Sequence, residues 1–227
     1  YTKSFNFTQA DIPRDIPEKS LSFDQMSQIY TDNSANEYVA LSLSGYNYDK
    51  NRYKAYMTLC VYNLTQSKIA YTKYINNQAL ETGEWDDFYG RVTFQNGKLF
   101  IGKGRYFYCL DAYEDKGIQW QYKTGIYGND NAMQVFGYDN LALGFSVDRL
   151  FAFDLNTGVK KYDVPAAGSN TANVIDGIIY QRDGSDLQMR DPYTGKELKR
   201  ISTGKNEQAF SSSRPNGKDG KIFIHSY

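Results

Sequence analysis

The sequence predicts an all-β protein, a β-propeller of four-stranded antiparallel blades, and three observations carry that expectation. One short pattern recurs four times along the chain. Its clearest copy, Ala152-Phe153-Asp154-Leu155-Asn156-Thr157-Gly158 followed by Tyr162, reads as a strand, a tight turn closed by Gly and a second strand. The anchor residues Asn63, Asp111, Asp154 and Asp191 lie 48, 43 and 37 residues apart, which brackets the roughly 40 to 45 residues of a four-stranded blade. Between anchors, runs of Tyr, Phe, Val, Ile and Leu are punctuated by Gly, Asn and Asp. The long 3.6-period apolar stripes of a helical repeat are absent.

The first blade is expected over residues 26–75, with strands at 27–31, 37–42, 55–62 and 69–74. A long connection, Ser44 to Tyr53, joins its second strand to its third. The second blade covers about 90–123, with strands at 91–94, 98–102, 106–112 and 118–122. The third runs over 132–164 and the fourth over 171–202, each with short inner connections. A partial fifth unit, 207–227, is expected from strands at 208–213 and 221–227, because Gly220-Lys221-Ile222-Phe223-Ile224 repeats Gly97-Lys98-Leu99-Phe100-Ile101.

Residues 1–7 alternate like an isolated outer strand, and residues 8–25, with Pro13 and Pro17, read as a linker or long loop. Residues 1–25 therefore stand apart from the blades at 26–227. A propeller avoids open edges by closing its ring, commonly by completing one blade with strands from both termini. The chain is then either part of a larger ring of about six to eight blades or a five-blade ring in which residues 1–7 complete the last blade. The larger ring is the preferred expectation, because the third strand of the last unit has no source. The start at Tyr1 without Met reads as a processed or trimmed segment.

The residue types of the repeat suit a structural task. An Asp or Asn side chain bonds backbone N–H groups two positions on, and Gly takes φ > 0, so Asn63, Asp111, Asp154 and Asp191 with Thr157-Gly158 and Thr194-Gly195 are expected as turn formers. The aromatic that follows, Tyr71, Trp120 or Tyr162, is expected to cover the turn and pack between blades. Lys199 abandons that place in the fourth copy.

These same residues resemble a known family. Ala152-Phe153-Asp154-Leu155-Asn156-Thr157-Gly158 with Tyr162, and Met189-Arg190-Asp191-Pro192-Tyr193-Thr194-Gly195, are similar to the pyrroloquinoline-quinone-type propeller repeat, Ala-x-Asp-x-x-Thr-Gly-x-x-x-Trp. The similarity covers residue 26 to the end and is strongest over 97–200. It implies the propeller fold. For function it leaves two branches open, quinoprotein dehydrogenases and non-enzymatic envelope proteins similar to the propeller lipoprotein of the outer-membrane barrel-assembly machinery. An enzyme of this kind would hold its quinone in the funnel with Ca²⁺, an Asp base and often a disulfide between adjacent cysteines; Cys60 and Cys109 are not adjacent. The non-enzymatic branch implies a bacterial periplasmic or cell-surface location, as a lipoprotein whose signal lies outside this sequence.

Composition narrows the partners. Lys plus Arg equals Asp plus Glu at 26 each, which argues against a general nucleic-acid or polyanion binder. With 227 residues and 41% hydrophobic content the chain buries a sizeable core, and no run of eighteen apolar residues marks a transmembrane helix. Cys60 and Cys109 are expected as buried free thiols on opposite sheet faces. No acidic cluster suggests a metal outside the loops, where Glu84-Trp85-Asp86-Asp87 is the one alternative Ca²⁺ set. The single His225 has no Ser/Asp partners in pattern and is expected to be structural. Gly102-Lys103-Gly104 lacks the following helix that would make it a phosphate loop. Catalysis, a cofactor and a metal are accordingly not expected.

Binding is. In a four-stranded meander, the loops between blades and those joining second to third strands share one face. Here those are the unusual loops. One carries Tyr46, Tyr48, Arg52 and Tyr53; the next carries Trp85, Asp86, Asp87, Tyr89 and Arg91; a third carries Tyr127, Asn129 and Asp130. The opposite edge has hairpin turns such as Asn96-Gly97, Asp139-Asn140 and Asp176-Gly177. Aromatic rings beside carboxylates and amides suit a protein hot spot or a sugar platform, while Trp85 turned inward would plug the channel. The leading expectation is a non-catalytic envelope scaffold that binds a protein or glycan on this face. The alternative is a fragment of a quinoprotein-type dehydrogenase or carbohydrate-active propeller enzyme.

Overall fold

The computed structural model describes residues 22–49, 52–75, 92–103, 106–124, 134–146, 148–166, 172–183, 186–202, 216–218 and 221–223. Every regular element among them is a strand. The first blade comprises β1 (Ser22–Met26), β2 (Tyr30–Thr31), β3 (Glu37–Asp49), β4 (Arg52–Asn63) and β5 (Lys68–Ile75), all antiparallel. Its inner strand is split, β1 and β2 both pairing with β3. At the break, Ser27 N donates to Ala40 O and Ala40 N donates to Ser27 Oγ, so β3 keeps its hydrogen bonds across the gap. The second blade is β6 (Val92–Gln95), β7 (Lys98–Lys103), β8 (Tyr106–Asp111) and β9 (Ile118–Lys123). The third is β10 (Gln134–Tyr138), β11 (Leu141–Phe145), β12 (Arg149–Asp154) and β13 (Lys160–Pro165), and the fourth is β14 (Asn173–Ile175), β15 (Ile178–Asp183), β16 (Asp186–Arg190) and β17 (Glu197–Ser202). A last hairpin pairs β18 (Asn216–Lys218) with β19 (Lys221–Phe223), with β18 beside β14.

Three elements differ from the sequence reading. The expected connection from Ser44 to Tyr53 is paired strand, because β3 and β4 stay in register out to Asp49 and Arg52. β1 occupies residues expected to end a linker. In the last unit the partner of β19 is Asn216–Lys218, whereas 208–213 and residues 1–7 lie outside the described residues.

Each middle blade is apolar on both faces, which is why its strands read as near-continuous hydrophobic runs. Along β8, Tyr108 and Leu110 join a core with Leu59, Val61 and Met57 of the first blade, while Phe107 and Cys109 join a core with Phe151 and Phe153 of the third. Along β12 the alternation continues, Leu150 and Ala152 packing with Ile179 of the fourth blade. Cys60 lies in a separate cluster with Val39, Leu41 and Leu64, on the flank of the first blade away from the second. Both thiols are free and buried, and burial pushes the Cys109 thiol up to about 12.

The repeat turns are built from backbone-to-carboxylate bonds. Asp154 Oδ1 accepts from Thr157 N at 3.0 Å, Thr157 Oγ1 at 3.0 Å and Asn156 N at 3.2 Å. Asp191 Oδ1 accepts from Tyr193 N at 2.8 Å and Thr194 N at 2.9 Å, and Asp111 Oδ1 from Tyr113 N and Glu114 N. Asn63 does the same work uncharged, accepting from Gln66 N at 2.8 Å. Gly158 and Gly195 close their turns at φ 70° and 71°, in the left-handed region where a Cβ is strained.

The aromatic after each turn reaches into the next blade. Tyr71 OH donates to Asp111 O, Trp120 Nε1 to Leu155 O at 3.1 Å and Tyr162 OH to Pro192 O at 2.7 Å. Each of these three side chains thus packs between blades and satisfies a turn carbonyl of its neighbour. In the fourth copy, Lys199 is exposed and the series stops.

Candidate ligand-binding face

The first blade departs from the others on one edge. In blades two to four the second and third strands pair over six, five and five residues. β3 and β4 pair over twelve, from Tyr38 opposite Asn63 to Asp49 opposite Arg52. β1 ends at Ser22, opposite Ser44, and β5 ends at Ile75, opposite Met57. Ser44 and Met57 are themselves partners, so among the described residues the four-stranded pairing reaches this one level and the β3–β4 pair continues past it as a two-stranded ribbon. Five further residue pairs at about 3.4 Å per residue carry it about 17 Å beyond the blade.

Register sorts the ribbon into two faces. Residues two apart on a strand share a face, and directly opposed residues share it too. Tyr46, Tyr48, Tyr53 and Ala55 therefore lie on one face, since Tyr48 opposes Tyr53 and Tyr46 opposes Ala55. Arg52, opposite Asp49, lies on the other with Asn47 and Lys54. The grouping of Tyr46, Tyr48, Arg52 and Tyr53 as one loop is thus divided, with three tyrosine positions together and Arg52 behind them. Among the described residues, neither β3 beyond Ser44 nor β4 before Met57 has a second strand partner.

β5 and β9 end on this same edge, Ile75 at the base of the ribbon and Lys123 opposite Tyr106, the first residue of β8. Trp85, Asp86, Asp87, Tyr89, Arg91, Tyr127, Asn129 and Asp130 lie outside the described residues. The opposite edge carries tight turns, with Asn96 at φ 47° and Gly97 at φ 73°, and Asp176 at φ 49° and Gly177 at φ 76°. Tyr193 OH closes that edge between blades with a 3.0 Å bond to Asp139 Oδ2, and the carboxylate pushes the phenol up to about 12.

A second concavity was not signalled by the motif. Residues on the inner side of four blades line an open concavity of about 490 Å³. Its described polar lining is Gln28, Thr93, Gln95, Gln134 and Asn173; Phe94, Phe136 and Tyr138, which pack against the inter-blade cores, also border it. Gln134 is 1% exposed; its Nε2 donates to Ala172 O at 3.2 Å and its Oε1 has no partner. Thr93, Gln134 and Asn173 lie 41 and 39 positions apart and Gln28 lies 65 before Thr93, so only the three-dimensional ring brings them together.

Among the described residues, no three His, Cys, Asp or Glu side chains converge as a metal site. The densest charged group, Asp183, Asp186 and Glu197 around Arg200, is exposed, each carboxylate bonding the guanidinium. That is ion-pair chemistry on the outer strand of the fourth blade.

No family model matches the chain, and no curated protein matches it by sequence. Solved structures do match. The crystal structure of BamB from Moraxella catarrhalis aligns with a TM-score of 0.50 and 15% identity, covering 86% of this chain and 66% of that one. The CNH domain of AfRom2 aligns with a TM-score of 0.43 and 13% identity, covering 87% of this chain and 78% of that one. The chain thus spans just under two thirds of the length of BamB. At such identity, the BamB likeness carries the fold alone, and with the four antiparallel sheets it establishes a β-propeller.

Proposed function

We propose that this chain is a non-catalytic propeller scaffold of the bacterial cell envelope that binds a ligand through the face bearing the β3–β4 ribbon. The observation that carries the reading is the ribbon itself. Blades two to four end their middle hairpins near the rim, whereas this one projects five residue pairs with three tyrosine positions on one face. A protein suits it better than a glycan in this reading, because among the described residues the ribbon strands have no further strand partner beyond Ser44 and Met57, and an extended segment of a partner adds to such an edge by main-chain hydrogen bonds. Tyrosine supplies large contact area at low conformational cost. The segments holding Trp85, Asp86, Asp87, Tyr89 and Arg91, and Tyr127, Asn129 and Asp130, flank the ribbon and complete the face in this reading.

The likeness to BamB supports the envelope location, and the Asp-x-x-Thr-Gly repeat is consistent with it, since the repeat is similar to that of a propeller family with a non-enzymatic envelope branch. The test compares the chain with its Tyr46→Ser/Tyr48→Ser/Tyr53→Ser variant, each immobilised and probed against envelope proteins and a glycan array. Loss of the retained partner in the variant, at unchanged thermal midpoint, is expected. A stoichiometric chromophore on adding pyrroloquinoline quinone and Ca²⁺, with dye-linked alcohol oxidation, would overturn the scaffold reading in favour of a dehydrogenase.

A further inference from the structure

We infer that the seam between the third and fourth blades is an opening point built into the ring, where the fourth blade and the last hairpin part from the first three blades as a unit. The seams between the described blades differ in what their two sides bring. At the first, Leu59, Val61 and Tyr71 meet Leu99, Tyr108 and Leu110. At the second, Phe100, Cys109 and Trp120 meet Ala142, Phe151 and Phe153. At the third, the third blade again brings an apolar face, with Leu143, Leu150, Ala152 and Tyr162, but among the described residues the fourth blade's buried share of that core is Ala172 and Ile179. The aromatic after each turn bridges all three seams alike, through Tyr71, Trp120 and Tyr162. The difference therefore lies in apolar burial.

Register locates the cause. Arg190 stands opposite Ile179 and Gln188 opposite Gln181, as Leu110 stands opposite Leu99 and Tyr108 opposite Ile101 in the second blade. Directly opposed residues share a face, and so do residues two apart. The fourth blade thus places polar residues on the face that holds Ile179, where the second blade places apolar ones. Glu197 and Arg200 of β17 extend this face, opposite Arg190 and Gln188. Arg190 is 8% exposed, and its guanidinium donates to Gln188 Oε1 and Gly195 O, with the Glu197 carboxylate 3.9 Å away. Gln188 Nε2 donates to Asp183, whose carboxylate also accepts from Arg200. These bonds close within the fourth blade, so the network survives separation from the third. Burial pushes the Arg190 guanidinium below its ordinary pKa, the mark of a charge that desolvation disfavours. Apolar burial drives association, whereas a buried guanidinium at best offsets its own desolvation, so the third seam is held more weakly than the other two. The last hairpin goes with the fourth blade, because β18 lies beside β14.

The test is native-state hydrogen exchange on the full chain, comparing the central strands of each blade. Amides of β15 and β16 should exchange through an opening at least about tenfold more populated than that of β7, β8, β11 and β12. Ile179→Val, which trims one methylene from the fourth blade's share of the seam, should raise exchange of β15 and β16 several-fold and leave β7 and β8 unchanged. Gln188→Tyr/Arg190→Leu sets the second blade's residues at the seam and should bring the fourth blade's protection up toward that of the second. Equal protection of all these strands in the parent chain would overturn the inference. So would a rise shared by every blade in Ile179→Val, which would mean that the ring opens as one body, or unchanged protection of β15 and β16 in the folded double variant. The ribbon belongs to the first blade, so failure here is distinguishable from failure of the scaffold reading.

Discussion

The indole of Trp120 lies so close over Gly158 that a β-carbon at position 158 would fall 2.5 Å from the ring, while Nε1 donates to Leu155 O, three residues before that glycine. One side chain of the second blade thereby reads two features of the third blade's turn, its missing Cβ and its free carbonyl. Gly158→Ala is expected to destabilise by more than about 1 kcal/mol, combining left-handed strain with a clash against the ring. Trp120→Ala should cost about 3 to 5 kcal/mol. Truncation to Ala removes the ring part of the clash and leaves the β-carbon of residue 120 at 2.7 Å, so the double variant should lose somewhat less than the two singles together, a coupling of about 0.5 kcal/mol or more in a urea-unfolding cycle.

Tyr162 repeats this arrangement over Gly195, where a β-carbon would meet the ring at 2.8 Å, and donates to Pro192 O. Its hydroxyl is held well above the ordinary phenol range by burial, with the nearby Asp191 carboxylate adding to the effect. Tyr162→Phe keeps the packing and strands the carbonyl, so a loss of about 1 to 3 kcal/mol is expected by denaturant titration. An unchanged midpoint would mean that water satisfies Pro192 O.

Acid should loosen the turns. The backbone N–H of Thr157, with its hydroxyl, holds the Asp154 carboxyl below its ordinary value, and burial of Asp111 is outweighed by the N–H groups of Tyr113 and Glu114 and by Lys116. A carboxyl depressed on folding stabilises above its unfolded pKa of about 3.9, and that contribution is lost as pH falls through the lower folded value. The thermal midpoint should therefore be insensitive to these groups at neutral pH and fall as pH drops below about 4. Asp154→Asn keeps an acceptor oxygen, as Asn63 does in the first blade, so it should fold normally and show a shallower acid slope.

The ribbon should be dispensable for folding. Leu43 on β3 and Met57 on β4 are buried core residues at the base of the ribbon. Replacing residues 45–56 by Asn-Gly closes the hairpin at the Ser44–Met57 pair with a favoured two-residue turn. Stability is expected to stay within about 1 kcal/mol of the parent chain, measured by urea unfolding. A larger loss would make the ribbon part of the blade.

The frame was legible in the sequence because its signals are local. Asp154, Thr157 and Gly158 form a turn from their own backbone bonds, and the alternation of Leu150, Phe151, Ala152 and Phe153 serves two cores that need only period-two packing. The ribbon was not legible as strand. Gly45, Asn47 and Asp49 are turn formers by propensity, and the cross-strand register, Tyr46 with Ala55 and Tyr48 with Tyr53, makes the segment extended. The channel wall was hidden for a different reason. Thr93, Gln134 and Asn173 each read as an ordinary strand residue, and nothing local indicates that three inner strands bring them to the border of one concavity.

The scaffold reading is tested most directly by site-specific photo-crosslinking within the bacterial envelope, with p-benzoylphenylalanine placed at position 48 on the ribbon or at position 157 on the opposite edge. A discrete cross-linked partner at 48, competed by excess unlabelled chain and not by the chain lacking residues 45–56, with no product at 157, is the predicted result. Products of equal yield at both positions, or none at 48 in folded protein, would contradict it.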